Sequence, residues 1–193
     1  MSDNKSVGGI RNITLVDSAD FAKYAAEFRA ALATGKYDIE KSYLSDNGAY
    51  VLFEKGHIYH TEEIEAAKAM ADHGIIVTMG QEGDPAQATA KNLKGNPKFS
   101  EGLLSIEKLT YEQSTRQQLN TAAEKSVKTA LEHAKAKGSD VAVVYDRGGL
   151  FHRNDIRAGI KLYESYKNNR SHLFKSILII DKNKNVYEWN HTK

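Results

Sequence analysis

A short apolar run directly after a long helical pattern is the feature that most constrains the fold of this chain. Residues 140–145 read DVAVVY, and such an almost unbroken run is typical of a strand that is covered on both faces. Residues 114–137 before it place Leu119, Val127 and Leu131 on one side of a long helix, which Gly138 ends. A long helix followed by a buried strand indicates an α/β protein.

The same alternation continues along the rest of the chain. We predict further helices over residues 19–33, over residues 61–73 and after Asn154, which is the predicted N-cap. We predict further strands over residues 48–54, 75–79, 102–111, 174–180 and 186–189. Residues 37–47 and 80–97 are predicted to be connections, the second with a short helical turn over residues 86–93. The predicted fold class is therefore α/β, with a mixed central sheet flanked by helices.

Composition limits the classes of function. The chain has 27 Lys and Arg against 25 Asp and Glu, so its net charge of +2 makes any nucleic-acid-binding surface local. It has no cysteine, which excludes disulfides and zinc sites built on cysteine. No apolar run approaches the roughly 20 residues that cross a bilayer. Because the polar residues 1–11 also lack the apolar core of a signal peptide, we expect a cytoplasmic protein without a membrane span.

Two acids and a lysine lie in the predicted strand around residues 100–109. Carboxylates can hold Mg²⁺, and a lysine beside them can activate a water against a phosphodiester. Alternation along a strand places Glu101 and Glu107 on one face and Lys108 on the other, unless a β-bulge re-aims one of them. The alternative is that Glu107 or Lys108 is simply solvated on an edge strand.

A second acidic group opens the helix at residues 61–73. Glu62, Glu63 and Glu65 lie in or near its first turn, where carboxylates interact favourably with the positive end of the helix dipole. One interpretation is therefore helix capping and solvation. The other is that Glu63 points across the sheet towards a metal site.

A basic group follows the buried strand at residues 140–145. Loops after strands in α/β sheets commonly bind ligands, and glycines with a helix N-terminus favour phosphate. Three features stand out: a Gly148-Gly149 pair, cationic candidates for a nucleic-acid backbone, and aromatic candidates for base stacking. The cationic residues are Arg147, His152, Arg153, Arg157 and Lys175, and the aromatic ones are Tyr145, Phe151 and Tyr166. The alternatives are a solvated, charge-mixed surface and aromatic residues that belong to the core.

The order of these segments resembles a known family. The likeness begins at residues 48–51 (GAYV), continues through 63–74 (EIEAAKAMADHG) and 75–79 (IIVTM), and extends to about residue 190. In this order the segments resemble the C-terminal nuclease domain of CdiA-type contact-dependent inhibition toxins. Related domains occur in phage minor-capsid proteins and mobile elements. The resemblance implies a variant of the PD-(D/E)xK nuclease fold.

The resemblance also implies a site. Glu63 would be the helix acid, Mg²⁺ would lie between Glu63, Glu101 and Glu107, and Lys108 would polarise the attacking water or the scissile phosphate. The substrate would be RNA, tRNA among them, or DNA, held by Arg147, His152, Arg153, Arg157 and Lys175. A toxin would have an immunity protein as partner, and the chain would be delivered into a target cytoplasm or packaged in a virion.

Two departures from the family's pattern leave a second interpretation open. Where the family has Pro-Asp this chain has Pro97-Lys98, with Glu101 or Asp84 as substitutes, and its Glu-Lys pair is adjacent. The alternative is a catalytically degenerate nuclease fold that serves as a phage or mobile-element structural protein or binds nucleic acid. A plain interaction module is the third interpretation. The predicted organisation is a disordered lead-in (1–16), an N-terminal helix and connection (17–47) and a nuclease-like domain (48–193).

Overall fold

The computed structural model of this chain describes residues 10–12, 20–81, 88–93, 99, 101–110 and 116–189. The strands are β1 (Ile10–Asn12), β2 (Tyr43–Leu44), β3 (Tyr50–Phe53), β4 (Ile76–Met79), β5 (Ala88–Lys91), β6 (Glu101–Lys108), β7 (Val141–Tyr145), β8 (Ser176–Ile180) and β9 (Val186–Trp189). The helices are α1 (Phe21–Ala33), α2 (Thr61–Asp72), α3 (Arg116–Ala136) and α4 (Arg153–Ser165). Asp84, Pro97 and Lys98, which bear on the family comparison, lie outside the described residues.

The predicted class is confirmed, because helices alternate with strands that pair both in parallel and antiparallel. Several local predictions are wrong: residues 88–91 form β5 instead of a helical turn, residues 43–44 of the predicted connection form β2, and residues 10–12 of the predicted lead-in form β1. β5 pairs with β4 on one side and β6 on the other, and Ala88 and Ala90 are buried while Thr89 and Lys91 are partly exposed. Pairing on both sides overrides the weak strand preference of alanine and lysine.

The chain divides into two compact units. One contains residues 13–104 and is called the N-terminal unit; the other contains residues 1–12 and 105–193 and is called the C-terminal unit. The boundary falls within β6, whose first four residues belong to the N-terminal unit and whose last four belong to the C-terminal unit. The sequence-based division at residues 16 and 47 uses other boundaries and stays a prediction.

The N-terminal unit has strand order β2-β3-β4-β5 followed by the first half of β6. Among the described strands of this unit, β3 and β4 form the one parallel pair, and α2 connects them, as expected for a crossover in a parallel pair. Ala66, Ala67 and Met70 of α2 are buried, and Phe28 of α1 packs against Tyr50 with ring centroids 5.6 Å apart. Small residues on α2 allow it to approach its neighbours closely.

The C-terminal unit has strand order β1-β9-β8-β7 followed by the second half of β6. β7 and β8 are parallel and buried along their whole length, which confirms the interpretation of the DVAVVY run. Its core joins α3 and α4 to the sheet through Val127, Leu131, Ile160 and Ile177. Because this unit contains a parallel buried pair, its functional residues are expected where those strands end.

Helices α3 and α4 approach each other closely at Gly159. A Cβ placed on Gly159 would lie 2.4 Å from Val127 Cβ and 2.9 Å from the Glu124 carbonyl oxygen. Neither neighbour moves easily, since one is a buried β-branched side chain and the other is backbone. The glycine therefore sets the separation of the two helices.

We expect Gly159→Ala to destabilise the C-terminal unit. Overpacking costs about 1–3 kcal/mol, while alanine returns only about 1 kcal/mol of helix propensity. Urea unfolding followed by the fluorescence of Trp189, the single tryptophan, measures the change. Val127→Ala in the Gly159→Ala background should recover part of the loss. An unchanged unfolding midpoint for Gly159→Ala would contradict the tight contact.

Candidate functional site

The side chain of Glu63 forms a hydrogen bond at the N-terminus of α2. The backbone N–H of His60 donates to Glu63 Oε2 at 2.8 Å, so this carboxylate caps the beginning of the helix. The bond satisfies an N–H group at the helix N-terminus, as the glutamate of a capping box does. The capping interpretation of Glu63 is therefore confirmed, and its role as a metal ligand stays a prediction.

A tyrosine closes the carboxyl ends of β3 and β4 in the N-terminal unit. The hydroxyl of Tyr59 lies 3.0 Å from the carbonyl oxygen of Glu54, 2.9 Å from that of Met79 and 3.2 Å from that of Gly80. Burial raises the pKa of Tyr59 to about 12, so the phenol stays protonated and can donate. In α/β sheets this edge commonly binds ligands. In the N-terminal unit, the phenol of Tyr59 occupies this edge of the sheet.

The predicted metal ligands belong to different units. Glu63 and Glu101, which is exposed at the start of β6, are in the N-terminal unit, whereas Glu107 is in the C-terminal unit. Among the described residues, no three histidine, aspartate or glutamate side chains lie close enough together to hold a metal ion. The Mg²⁺ site that the resemblance implies stays a prediction.

Glu107 lies in a cluster of four polar side chains, which we call the Glu107 cluster: Ser105, Glu107, His133 and Lys137. Glu107 is only 8% exposed, and its Oε1 accepts from Ser105 Oγ at 2.6 Å and from Lys137 Nζ at 2.7 Å. His133 Nδ1 lies 3.8 Å from Glu107 Oε2. Lys108 is exposed, as strand alternation predicts. The lysine beside Glu107 is therefore Lys137.

Sequence reasoning missed Lys137 and His133. Their separation of four residues places them on one face of α3 and its end, which is a signal that can be read from sequence. That this face meets Glu107, 30 residues away from Lys137, follows only from the fold. The nearly buried carboxylate is thus neutralised by a lysine whose side chain is 55% exposed.

We expect Lys137→Met to lower the free energy of unfolding of the C-terminal unit by about 1–2 kcal/mol. Breaking a fully buried ion pair costs about 3–5 kcal/mol and an exposed one at most about 1 kcal/mol. The half-exposed Lys137 lies between these cases. Trp189 fluorescence in urea gives the measurement, with Lys125→Met, an exposed lysine of α3, as control. Equal stability of both variants would show that Lys137 does not stabilise the buried carboxylate.

Basic side chains gather where β7 and β8 end. Because these strands are parallel, the loop after β7 (residues 146–152) and the turn after β8 (residues 181–185) leave from the same edge of the sheet. We call this the basic edge and define it by five residues: Arg147, His152, Arg153, Lys182 and Lys184. The first four are exposed and Lys184 is partly exposed.

The loop after β7 is held by Asp146, which is 3% exposed. Its carboxylate accepts from the N–H of Leu150 at 3.1 Å and of Phe151 at 2.9 Å. Gly149 has φ +67°, and a Cβ placed there would lie 2.4 Å from Lys182 Cδ. The stem of Lys182 therefore packs against this glycine. The loop and the turn of the basic edge are in direct contact.

The beginning of α4 completes the basic edge. The helix begins at Arg153 with His152 as N-cap, so the predicted N-cap at Asn154 is two residues late. The Asp155 carboxylate accepts from the N–H of His152 at 2.8 Å. The guanidinium of Arg153 lies 4.4 Å from the Tyr187 ring centroid, and Lys184 donates to the Tyr145 hydroxyl. Aromatic rings thus position two of the five cationic groups.

The remaining predicted nucleic-acid-binding residues lie elsewhere. Arg157 is one turn further into α4 and partly buried, and within the described part of the chain its Nε has no hydrogen-bond partner. Lys175 precedes β8, with its Nζ 3.8 Å from Asp140 Oδ1. A five-residue strand spans about 17 Å, so Lys175 lies at the opposite edge of the sheet. The structure brings Arg147, His152 and Arg153 together without Lys175.

A pocket of about 410 Å³ lies at the other end of α4. Its lining residues come from the end of α3 and from the segment after α4: Glu132, Lys135, Ala136, Tyr166, Asn168 and Asn169. Nearby, the Tyr163 hydroxyl donates to the His172 carbonyl at 2.9 Å. Burial, with Glu132 and Glu164 adding to it, raises the pKa of Tyr163 to about 12, which keeps the phenol neutral. This bond ties α4 to the segment that lines the pocket.

Comparison of this chain with protein families, curated proteins and solved structures finds no match. Within the described ranges, no helix is both long enough and apolar enough to cross a membrane. The resemblance to CdiA-type nuclease domains is therefore carried by the sequence segments alone.

Proposed function

We propose that this protein binds nucleic acid and that the basic edge of its C-terminal unit holds the phosphate backbone of RNA or DNA. The observation that carries the proposal is the meeting of five cationic or titratable basic side chains where two parallel strands end. Arginine and lysine beside a helix N-terminus form an arrangement that favours phosphate.

The acids near the basic edge support this proposal. Asp146 accepts from two loop N–H groups, Asp155 accepts from the N–H of His152, and Asp181 accepts from the N–H groups of Asn183 and Asn185 at 2.9 and 3.0 Å. Each carboxylate therefore holds the backbone of the edge in place. Arg147, Arg153 and Lys182 are exposed, whereas Lys184 is partly exposed and donates to the Tyr145 hydroxyl.

The proposal matches one interpretation of the resemblance. A degenerate PD-(D/E)xK-like domain in a phage or mobile-element protein would keep the backbone-binding surface after losing cleavage. In the same context a toxin domain would act on tRNA inside a target cytoplasm and would have an immunity protein as partner. Lys137 and Ser105 both donate hydrogen bonds to Glu107 Oε1. Because this oxygen already has two partners, the catalytically degenerate form is favoured.

Metal-dependent cleavage is the second candidate function. It is favoured by one observation, a carboxylate with a lysine and a histidine around it in the Glu107 cluster. Mg²⁺ is often held by one or two carboxylates with waters and substrate phosphates, so Glu107 can supply one ligand. Bound Mg²⁺ would supply charge for the transition state, while Lys137 would orient the phosphate or a water. Binding ranks first, because Lys137 already occupies Glu107 Oε1.

We expect the combined variant Arg147→Gln, Arg153→Gln and Lys182→Gln to bind a fluorescent single-stranded RNA at least about tenfold more weakly at low salt. Each lost phosphate contact reduces the slope of log K against log salt by about 0.7–0.9, so the slope should fall by about 2. Fluorescence anisotropy over a salt series measures both quantities.

A charge-matched variant controls for net charge. Arg29, Lys41 and Lys55 are exposed residues of the N-terminal unit, and their combined change to Gln removes the same three charges. This control should bind nearly as the parent does. Equal weakening by both variants would contradict a role for the basic edge, and absence of salt-sensitive binding by the parent protein would contradict the proposed function itself.

Cleavage is tested separately on tRNA and duplex DNA with and without Mg²⁺. If the second candidate is correct, Glu107→Gln and Lys137→Met should each reduce the cleavage rate by about a hundredfold or more, in the range typical of lost acid-base or electrostatic groups. Lys108→Met should reduce it far less, since Lys108 is on the opposite face of β6. Absence of Mg²⁺-dependent products from the parent protein would exclude the nuclease.

A further inference from the structure

The pocket at the end of α4 combines an exposed ring with polar groups. Tyr166 is 47% exposed and lines the pocket, and Lys128 Nζ lies 4.5 Å from the centroid of its ring. Asn169, only 3% exposed, lines the pocket and is held by two hydrogen bonds. Its Nδ2 donates to the Tyr163 carbonyl at 3.0 Å, and its Oδ1 accepts from Lys135 at 3.0 Å. The lining is therefore preorganised by hydrogen bonds.

Glu132 supplies an acceptor beside the ring. Its Oε1 lies 3.3 Å from Lys128 Nζ and 3.5 Å from Asn169 Nδ2, and within the described part of the chain no hydrogen bond or ion pair involves its Oε2. The side-chain amide of the exposed Asn168 adds a donor and an acceptor at the rim. A ligand that fits these groups is flat, aromatic and carries a donor amine on its edge.

We infer that this pocket binds a nucleobase that carries an exocyclic amino group. The ligand class rests on the proposed function, since a nucleic-acid-binding protein meets such bases on single strands. The base stacks on Tyr166, and its amino group donates to Glu132. Stacking on aromatic side chains is the general way in which proteins hold unpaired bases, and glutamate accepts from the amino group of cytosine.

The pocket is a separate site from the basic edge. The two lie at opposite ends of α4, whose 13 residues span about 18 Å at the ordinary rise per residue. A volume of about 410 Å³ is enough for one nucleoside, and it lies at the small end of the range for ligand pockets. Because the two sites lie at opposite ends of α4, a single nucleic-acid strand held at the basic edge can place one base in this pocket only if it runs along α4.

Free nucleosides test the pocket without phosphate. The experiment is an NMR titration of the ¹⁵N-labelled full chain with cytidine and with uridine. Their bases differ at position 4, where cytosine has an amino donor and uracil a carbonyl acceptor, and at N3, which is an acceptor in cytosine and an N–H donor in uracil. Cytidine should give saturable shifts at the amides of Lys135, Ala136 and Asn169, with an affinity at least about threefold above that of uridine. Shifts that do not saturate, or that lie away from the pocket, would overturn the inference.

Variants separate stacking from amine recognition. Tyr166→Leu should weaken cytidine binding at least about fivefold, the lower end of the range for a lost stacking contact, while Tyr166→Phe should keep it. Glu132→Gln should remove the preference for cytidine over uridine, and Glu124→Gln on the same helix should not. Undiminished cytidine binding by Tyr166→Leu would show that the ring does not hold the base. Urea midpoints confirm that each variant is folded.

The outcomes distinguish this inference from the proposed function. The triple variant of the basic edge should bind cytidine as the parent protein does, because nucleosides lack phosphate. Nucleoside binding with no salt-sensitive RNA binding would contradict only the proposed function. Salt-sensitive RNA binding without nucleoside binding would contradict only the pocket.

Discussion

The parallel pairing of β7 with β8 is the interaction on which the candidate surfaces of the C-terminal unit depend. Both strands are buried along their whole length, so their register is set by apolar side chains on two faces. Parallel direction places the loop after β7 and the turn after β8 at one edge of the sheet. Arg147 and Lys182, 35 positions apart in the chain, therefore meet at a common surface without any local sequence signal.

How far sequence reasoning reaches can be judged from particular elements. The long helix and the DVAVVY strand can be predicted from the sequence, because the apolar residues of each segment form a recognisable pattern within that segment alone. β5 was not, since ATAK has neither β-branched alternation nor apolar content beyond alanine, and its strand form depends on two neighbours. Local periodicity can therefore identify a helix or strand only when the segment's own apolar residues show that it is buried.

The candidate sites show the same limit. Arg147, His152 and Arg153 can be predicted as a group from the sequence, because they are neighbours after a recognisable strand. Lys175 shares only its charge with them. Lys182 and Lys184 join the basic edge through strand pairing, and Lys137 reaches Glu107 by a side-chain hydrogen bond from just after the end of α3. Strand alternation correctly separated Glu107 from Lys108, but it could not supply the lysine that replaces Lys108 beside the carboxylate.

Helix α4 links the two surfaces that we propose to bind a nucleic acid. Its first residue contributes Arg153 to the basic edge, and the segment after its last residue contributes Tyr166 to the pocket. Its position is set by the close approach of Gly159 to Val127 and by the hydrogen bond from Tyr163 to the His172 carbonyl. Because α4 lies between Arg153 and Tyr166, a strand that binds both surfaces as proposed would have to match the distance between them. The protein could then discriminate among nucleic-acid strands by the spacing between a phosphate and an unpaired base, without contacting a base at the basic edge.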